Sequence, residues 1–155
     1  MKKKLFILML FAGFVYACGS NDSSGTNTGS KADKPAPAAT APDDDGIGKF
    51  KNVQVSATLD VVKAEAGKKL YEVKCASCHK LTDERVVGPG WKGVTGRHTP
   101  AWILNFITNV DEMLEKDPKA KAQLEICLVR MPNQNLTDAD AFNVYEFMRQ
   151  NDGVK

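Results

Sequence analysis

The sequence has no strong excess of charge, no apolar run long enough to cross a bilayer, no tandem repeat and no sign of a second folded domain. A formal net charge of +2 over 155 residues argues neither for nucleic acid nor for a strongly charged partner, and leaves room only for local patches. The longest apolar stretch, Leu5–Ala17, falls short of the roughly 20 residues that a membrane-spanning helix needs. The alternating strand and helix pattern that surrounds disulfide-exchange dithiols is also missing. What remains is an ordinary globular composition, 26% charged and 43% hydrophobic, in a length that allows one domain.

The N-terminus separates itself from that domain. Lys2, Lys3 and Lys4 precede the apolar run, the order of an export signal. Val15-Tyr16-Ala17-Cys18 resembles the lipobox of bacterial lipoproteins, with Tyr16 in place of the usual small residue. The resemblance implies a signal peptide at 1–17 and a lipid-bearing Cys18 that holds the protein on a membrane surface; an ordinary export signal is the alternative. After Cys18 the composition turns to Ser, Asn, Thr, Gly, Ala, Pro and Asp with hardly a large apolar residue. Such a segment buries too little surface to offset its ordering entropy, so 18–49 is expected to be a disordered linker and 50–155 the domain.

Within the domain, Cys75-Ala76-Ser77-Cys78-His79 carries the chemistry. C-x-x-C-H is the attachment signature of a c-type haem: two thiols form thioethers to the porphyrin, and the adjacent imidazole reaches the iron. The plainer reading is a dithiol followed by a chance histidine.

Helical spacing surrounds the motif. Val62, Ala66, Leu70 and Val73 are spaced as one face of a helix running into Cys75, with Gly67 and Tyr71 on a neighbouring stripe. Gly67 costs a helix about 1 kcal/mol relative to alanine and is better explained by close contact with another helix. A Gly-rich loop, Lys80–Thr99, follows. Thr99 with Pro100, Asp117 with Pro118, and Thr137 with Asp140 then mark three helix starts. The first helix carries Trp102, Ile103, Phe106 and Ile107, the second Leu124, Cys127 and Leu128, and the last Phe142, Val144, Tyr145, Phe147 and Met148. The fold class expected is all-α with irregular loops around one covalent haem.

The second iron ligand decides the chemistry, because iron held by histidine alone keeps an open face while histidine and methionine together close it. Met131 precedes Pro132 just past a helix end, where the proline enforces an extended strap able to cross a haem's far face. Met113 and Met148 are expected to pack in helix faces, and His98 to be an exposed loop residue, although His98 and Met113 remain the competing ligands. Cys127, on an apolar helix face, is expected to be buried and inert.

Gly67, Tyr71, the haem motif, Val87-Gly88-Pro89-Gly90-Trp91-Lys92-Gly93, Met131-Pro132-Asn133 and the closing amphipathic helix together resemble a class I monohaem cytochrome c over about 60–152. The resemblance implies a crossing of first and last helices at Gly67, where Gly67 and Tyr71 meet either Val144 and Phe147 or Tyr145 and Met148. It implies that the Pro89 carbonyl accepts a bond from the ligand histidine, and that Arg97 and Trp102 bond the haem propionates. Trp91 stands where the family commonly has leucine, so an indole there packs on the haem edge or shifts the loop. The run from Val110 to Thr137 resembles the small cytochromes that accompany nitrous-oxide reductase.

The expectation is a monomeric, exported, lipid-anchored electron carrier on the periplasmic side of a bacterial membrane, not an enzyme. Its partners would be a quinol-oxidising complex and a terminal oxidase or reductase, nitrous-oxide reductase among them. The alternatives are an open-site haem enzyme or gas sensor, a dithiol oxidoreductase, and a purely structural lipoprotein.

Overall fold

A computed structural model describes residues 44–155; the expected signal peptide at 1–17, Cys18 and the expected linker up to 43 lie outside the described residues. Among the described residues six helices follow one another: α1 Val61–Lys74, α2 Val94–Arg97, α3 Pro100–Thr108, α4 Val110–Lys116, α5 Pro118–Cys127 and α6 Asp138–Asn151. Among the described residues no strand forms, and no helix is long and apolar enough to cross a membrane.

The helix starts are set by capping chemistry. Thr99 accepts from Trp102 N–H, Asp117 from Ala120 N–H, and Thr137 and Asp140 form a reciprocal capping box. Asp60 caps α1 in the same way. Two helices are more than the sequence pattern marks: α2, a single turn inside the Gly-rich loop, and α4, which the cap at Asp117 separates from α5.

α1 and α6 cross at Gly67. A β-carbon there would stand 1.9 Å from the Asn143 carbonyl oxygen, so only glycine allows the two backbones to touch. Tyr71 then meets Phe147, with ring centroids 5.4 Å apart, and Val144 sits beside Gly67, which is the first of the two registers expected. The contact reassigns the faces of α1. Its buried residues are Ala64, Gly67 and Tyr71, while Val62 and Val73 of the apolar stripe are 81% and 85% exposed. Close backbone approach, not hydrophobicity, chose the face.

The ordered chain also begins earlier than position 50. Ile47 packs against the core and donates its N–H to the Met113 sulfur at 3.0 Å. The fully buried Asn105 side chain accepts from Phe50 N–H and donates to the carbonyls of Asp45 and Phe50 at 2.7 and 2.9 Å. Asp44 pairs with Lys119, and its carbonyl accepts from the Thr99 hydroxyl. Residues 44–49 are therefore a strap bolted across α3 and α4, not part of a free linker.

A buried ion pair closes the other end. Arg149 lies 2.7 Å from Glu146, which accepts Asp60 N–H, while Arg149 also donates to the Ser56 carbonyl. Leu128, expected on an apolar face, instead ends α5 in the left-handed conformation and is 84% exposed.

Candidate haem site

The haem motif forms one turn at the end of α1. Cys75 N–H bonds Tyr71 O, and both Cys78 and His79 N–H groups return to the Cys75 carbonyl. The Tyr71 hydroxyl donates to His79 O at 2.7 Å, so the aromatic residue that packs on α6 also holds the motif's last residue. Cys75 is buried and Cys78 half-buried. Burial, with the neighbouring Cys78 thiol adding and Lys74 opposing, pushes the Cys75 thiol up to about 11. That is the reverse of the depressed pKa a disulfide-exchange nucleophile needs.

His79 is clamped on two sides. A β-carbon at Gly88 would lie 2.3 Å from its ring, and the Trp91 ring centroid is 5.8 Å away. Trp91 is itself buried and packed at a tilt against Tyr71, so it backs the histidine. His79 Nδ1 stands 2.8 Å from the Pro89 carbonyl oxygen. A carbonyl only accepts, so Nδ1 carries the ring proton and Nε2 is left with a free lone pair. Burial lowers the His79 pKa below the ordinary histidine value, partly offset by the Pro89 bond.

Met131 borders the same space. It follows the left-handed Leu128 and precedes Pro132 on an irregular segment between α5 and α6. That segment is braced by Arg130 to Asp111 at 2.8 Å and by Lys74 to the Gln134 carbonyl at 3.1 Å. Two apolar cavities each have both His79 and Met131 in their walls. A third, which they also share, brings Cys75 together with Cys78, which lines the first as well.

The competitors are placed differently. Met113 is fully buried and its sulfur accepts Ile47 N–H. Met148 is a core residue of α6 that borders the second cavity. His98 is not a simple surface residue: it stacks on Trp102 at 3.9 Å between centroids, with Nε2 3.3 Å from Gln123. Its Nδ1 is sealed from solvent without a partner among the described residues. Burial first, then Lys119 and Arg97, lower its pKa against Asp44 and Asp117.

Arg97 lines the second cavity, and its guanidinium donates to the carbonyls of Lys92 and Gly90. Asp152 holds this loop by accepting from Gly93 and Thr95 N–H. Trp102 spends its one N–H on Asp117 Oδ1, 3.1 Å away and buried, the oxygen that also caps α5. An indole has a single donor, so this bond leaves Trp102 none for a propionate. Cys127 is half-buried in the wall of the first cavity, not sealed in a helix face. Gln123, which borders both cavities, carries no signal in the sequence, being one of four polar residues that alternate with apolar ones along α5.

Residues 64–152 match the family profile described as cytochrome c. The chain is a member of the cytochrome c family. No curated protein matches the sequence. Among solved structures, it is similar to cytochrome c from Rhodothermus marinus at 30% identity and a TM-score of 0.65, over 68% of this chain and 90% of that one. An engineered form of the Rhodothermus protein, bound to a carbene intermediate, is similar over the same shares at 30% identity and a TM-score of 0.62. The fold is that of cytochrome c, and its cofactor is a covalent c-type haem. The site fits that group: an apolar space at the centre, two thiols one turn apart on one wall, and a nitrogen and a sulfur donor on walls that share it.

Proposed function

We propose that this cytochrome carries single electrons through a haem whose iron is held by His79 and Met131 and whose porphyrin is bonded to Cys75 and Cys78. The observation that carries the reading is that His79 and Met131 border the same apolar cavities, each held in place by independent contacts. When bound, the haem iron supplies one-electron chemistry, accepting an electron from a reduced partner and passing it to an oxidised one.

The chain's own residues set the conditions for that chemistry. Pro89 fixes the His79 tautomer and strengthens its donor nitrogen, as partners of metal-bound histidines do. Trp91 and Gly88 keep the ring from turning. Phe106, Leu114 and Leu124 exclude water from the cavity. Arg97 is the propionate partner on this reading, and Trp102 supports the site by packing.

The reading extends to the cell. Residues 1–17 direct export, a lipidated Cys18 ties the chain to the periplasmic side of a membrane, and the monomer shuttles between a quinol-oxidising complex and a terminal reductase, nitrous-oxide reductase being the first to test. The class I and lipoprotein assignments rest on the order of motifs from Gly67 to Met131 and on Val15-Tyr16-Ala17-Cys18.

The test is the visible spectrum of the oxidised protein and of Met131→Ala. Wild type shows a weak absorption near the red edge, the variant loses it, and the reduced variant binds carbon monoxide. A high-spin spectrum in wild type, unchanged by the substitution, makes an open-site haem enzyme or gas sensor the better reading.

A further inference from the structure

A c-type haem carries its two carboxylates on the porphyrin edge opposite the one its thioethers hold, so they belong in the part of the pocket away from the cysteines. The first and third cavities have cysteines of the motif in their walls, and the second has none. Among its apolar side chains the second cavity instead gathers Arg97, His98 and Gln123.

Gln123 is the unexplained member. It shares one face of α5 with Ala120, Leu124 and Cys127, the first fully buried and the other two lining the first cavity. A carboxamide on such a face is costly unless its polar atoms find partners. The residues that border both the first and second cavities are His79, Pro89, Phe106, Met131 and Gln123, so the amide stands with the iron ligands on the boundary between the two.

The amide is already aimed. Trp102 is fixed by its bond to Asp117, and His98 stacks on it with centroids 3.9 Å apart. The ring so held brings Nε2 to 3.3 Å from the Gln123 amide nitrogen. An amide nitrogen only donates, so Nε2 accepts, and the second N–H of Gln123 has no partner among the described residues. A second proton on the ring would break this bond, so His98 holds the amide as a neutral acceptor.

We infer that Gln123 donates its second amide N–H to one haem carboxylate, with His98 as the residue that positions it and Arg97 serving the other carboxylate. The inference rests on the electron-carrier reading and deepens it by naming a residue that sets the potential: a carboxylate met by a donor stabilises ferric iron less than a bare one. The charged groups around the pair come from the strap, α2 and the start of α5, namely Asp44, Arg97, Asp117 and Lys119. Asp44 and Lys119 pair with each other, Asp117 holds Trp102, and Arg97 bonds two carbonyls. Substitution at Gln123 alters none of them.

The experiment measures the reduction potential of the haem-loaded full chain against pH, for wild type, Gln123→Leu, Gln123→Glu and His98→Phe. Leucine keeps the bulk of the side chain; phenylalanine keeps the stack on Trp102 and loses the acceptor. The potential rises where the haem carboxylate takes up its proton. In Gln123→Leu that step should move up by about one pH unit, the worth of one hydrogen bond to a charged group, and the potential above the step should fall. In Gln123→Glu it should move further, because two neighbouring carboxylates resist ionising together. His98→Phe should move it the same way by less, since the donor stays and its aim is lost.

A residue that merely fills space gives the opposite sign: water entering beside a leucine returns the carboxylate towards its ordinary, lower range. A step that stays in place or moves down in Gln123→Leu therefore overturns the inference. Nitrogen-15 NMR of the reduced wild type tests it without any variant, the Gln123 side-chain protons being expected to exchange slowly with solvent. Exchange as fast as that of a surface glutamine overturns it. Failure of the carrier reading shows separately, as an oxidised spectrum without the red-edge absorption, while the carboxylate step still reports on Gln123.

Discussion

His98 shows what a single enclosed ring costs. Its folded pKa lies below the ordinary histidine value, mainly because burial penalises the charged form. The unfolded chain takes up that proton near pH 6.5 and the folded chain does so only at lower pH, so below about 6.5 the unfolded state binds more protons. Stability is therefore lost as pH falls through that region and is flat with respect to this group above it. His98→Gln should show a smaller drop in melting temperature between pH 7 and pH 5 than wild type, with the oxidised protein melted at both pH values. Equal drops would place the acid sensitivity elsewhere. The histidine's setting was not legible in the sequence, because its partners Trp102 and Gln123 come from two other helices. The fate of the Trp102 donor was hidden for the same reason: Asp117 looks only like a helix cap until the fold brings the indole to it. His79 against Pro89, by contrast, is a short-range arrangement that a motif can carry.

Among the elements, the α1–α6 crossing turns on one missing methyl group. Gly67→Ala would gain about 1 kcal/mol of helix propensity. It would also drive a β-carbon into the Asn143 carbonyl, and overpacking of that kind against backbone costs about 3 kcal/mol. The clash wins, for a net loss of about 2 kcal/mol, readable as a lower denaturant midpoint at unchanged slope. A midpoint equal to or above wild type would mean that the helices part at little cost. Capping residues made helix starts at Thr99, Asp117 and Thr137 legible, since a cap acts within three residues of itself. The buried face of α1 was not, because Val62 and Val73 outweigh Gly67 in any hydrophobic pattern. The strap at 44–49 was missed because a single Ile47 stands among aspartates and glycines, and its anchor, Asn105, is far along the chain.

For the molecule as a whole, the cavities at its centre mean that protein side chains alone do not fill the core. Phe106, Leu114, Leu124 and Met131 form walls whose contacts come from the haem that the family carries. Cys75→Ser combined with Cys78→Ser, expressed without attached haem, should show reduced helicity by circular dichroism and a broad, uncooperative melt. A sharp melt with native helix content would show that the polypeptide closes its own core. The entry strap adds a mechanical consequence. A pull on the chain upstream of Asp44 is borne first by the Asp44 pair with Lys119 and by the Thr99 bond, then by the bonds of Asn105. Only after the strap has peeled from α3 does force reach α1 and the haem turn beyond it. The domain thus carries a strain relief at its point of entry, and tension on the chain is spent before it can disturb His79.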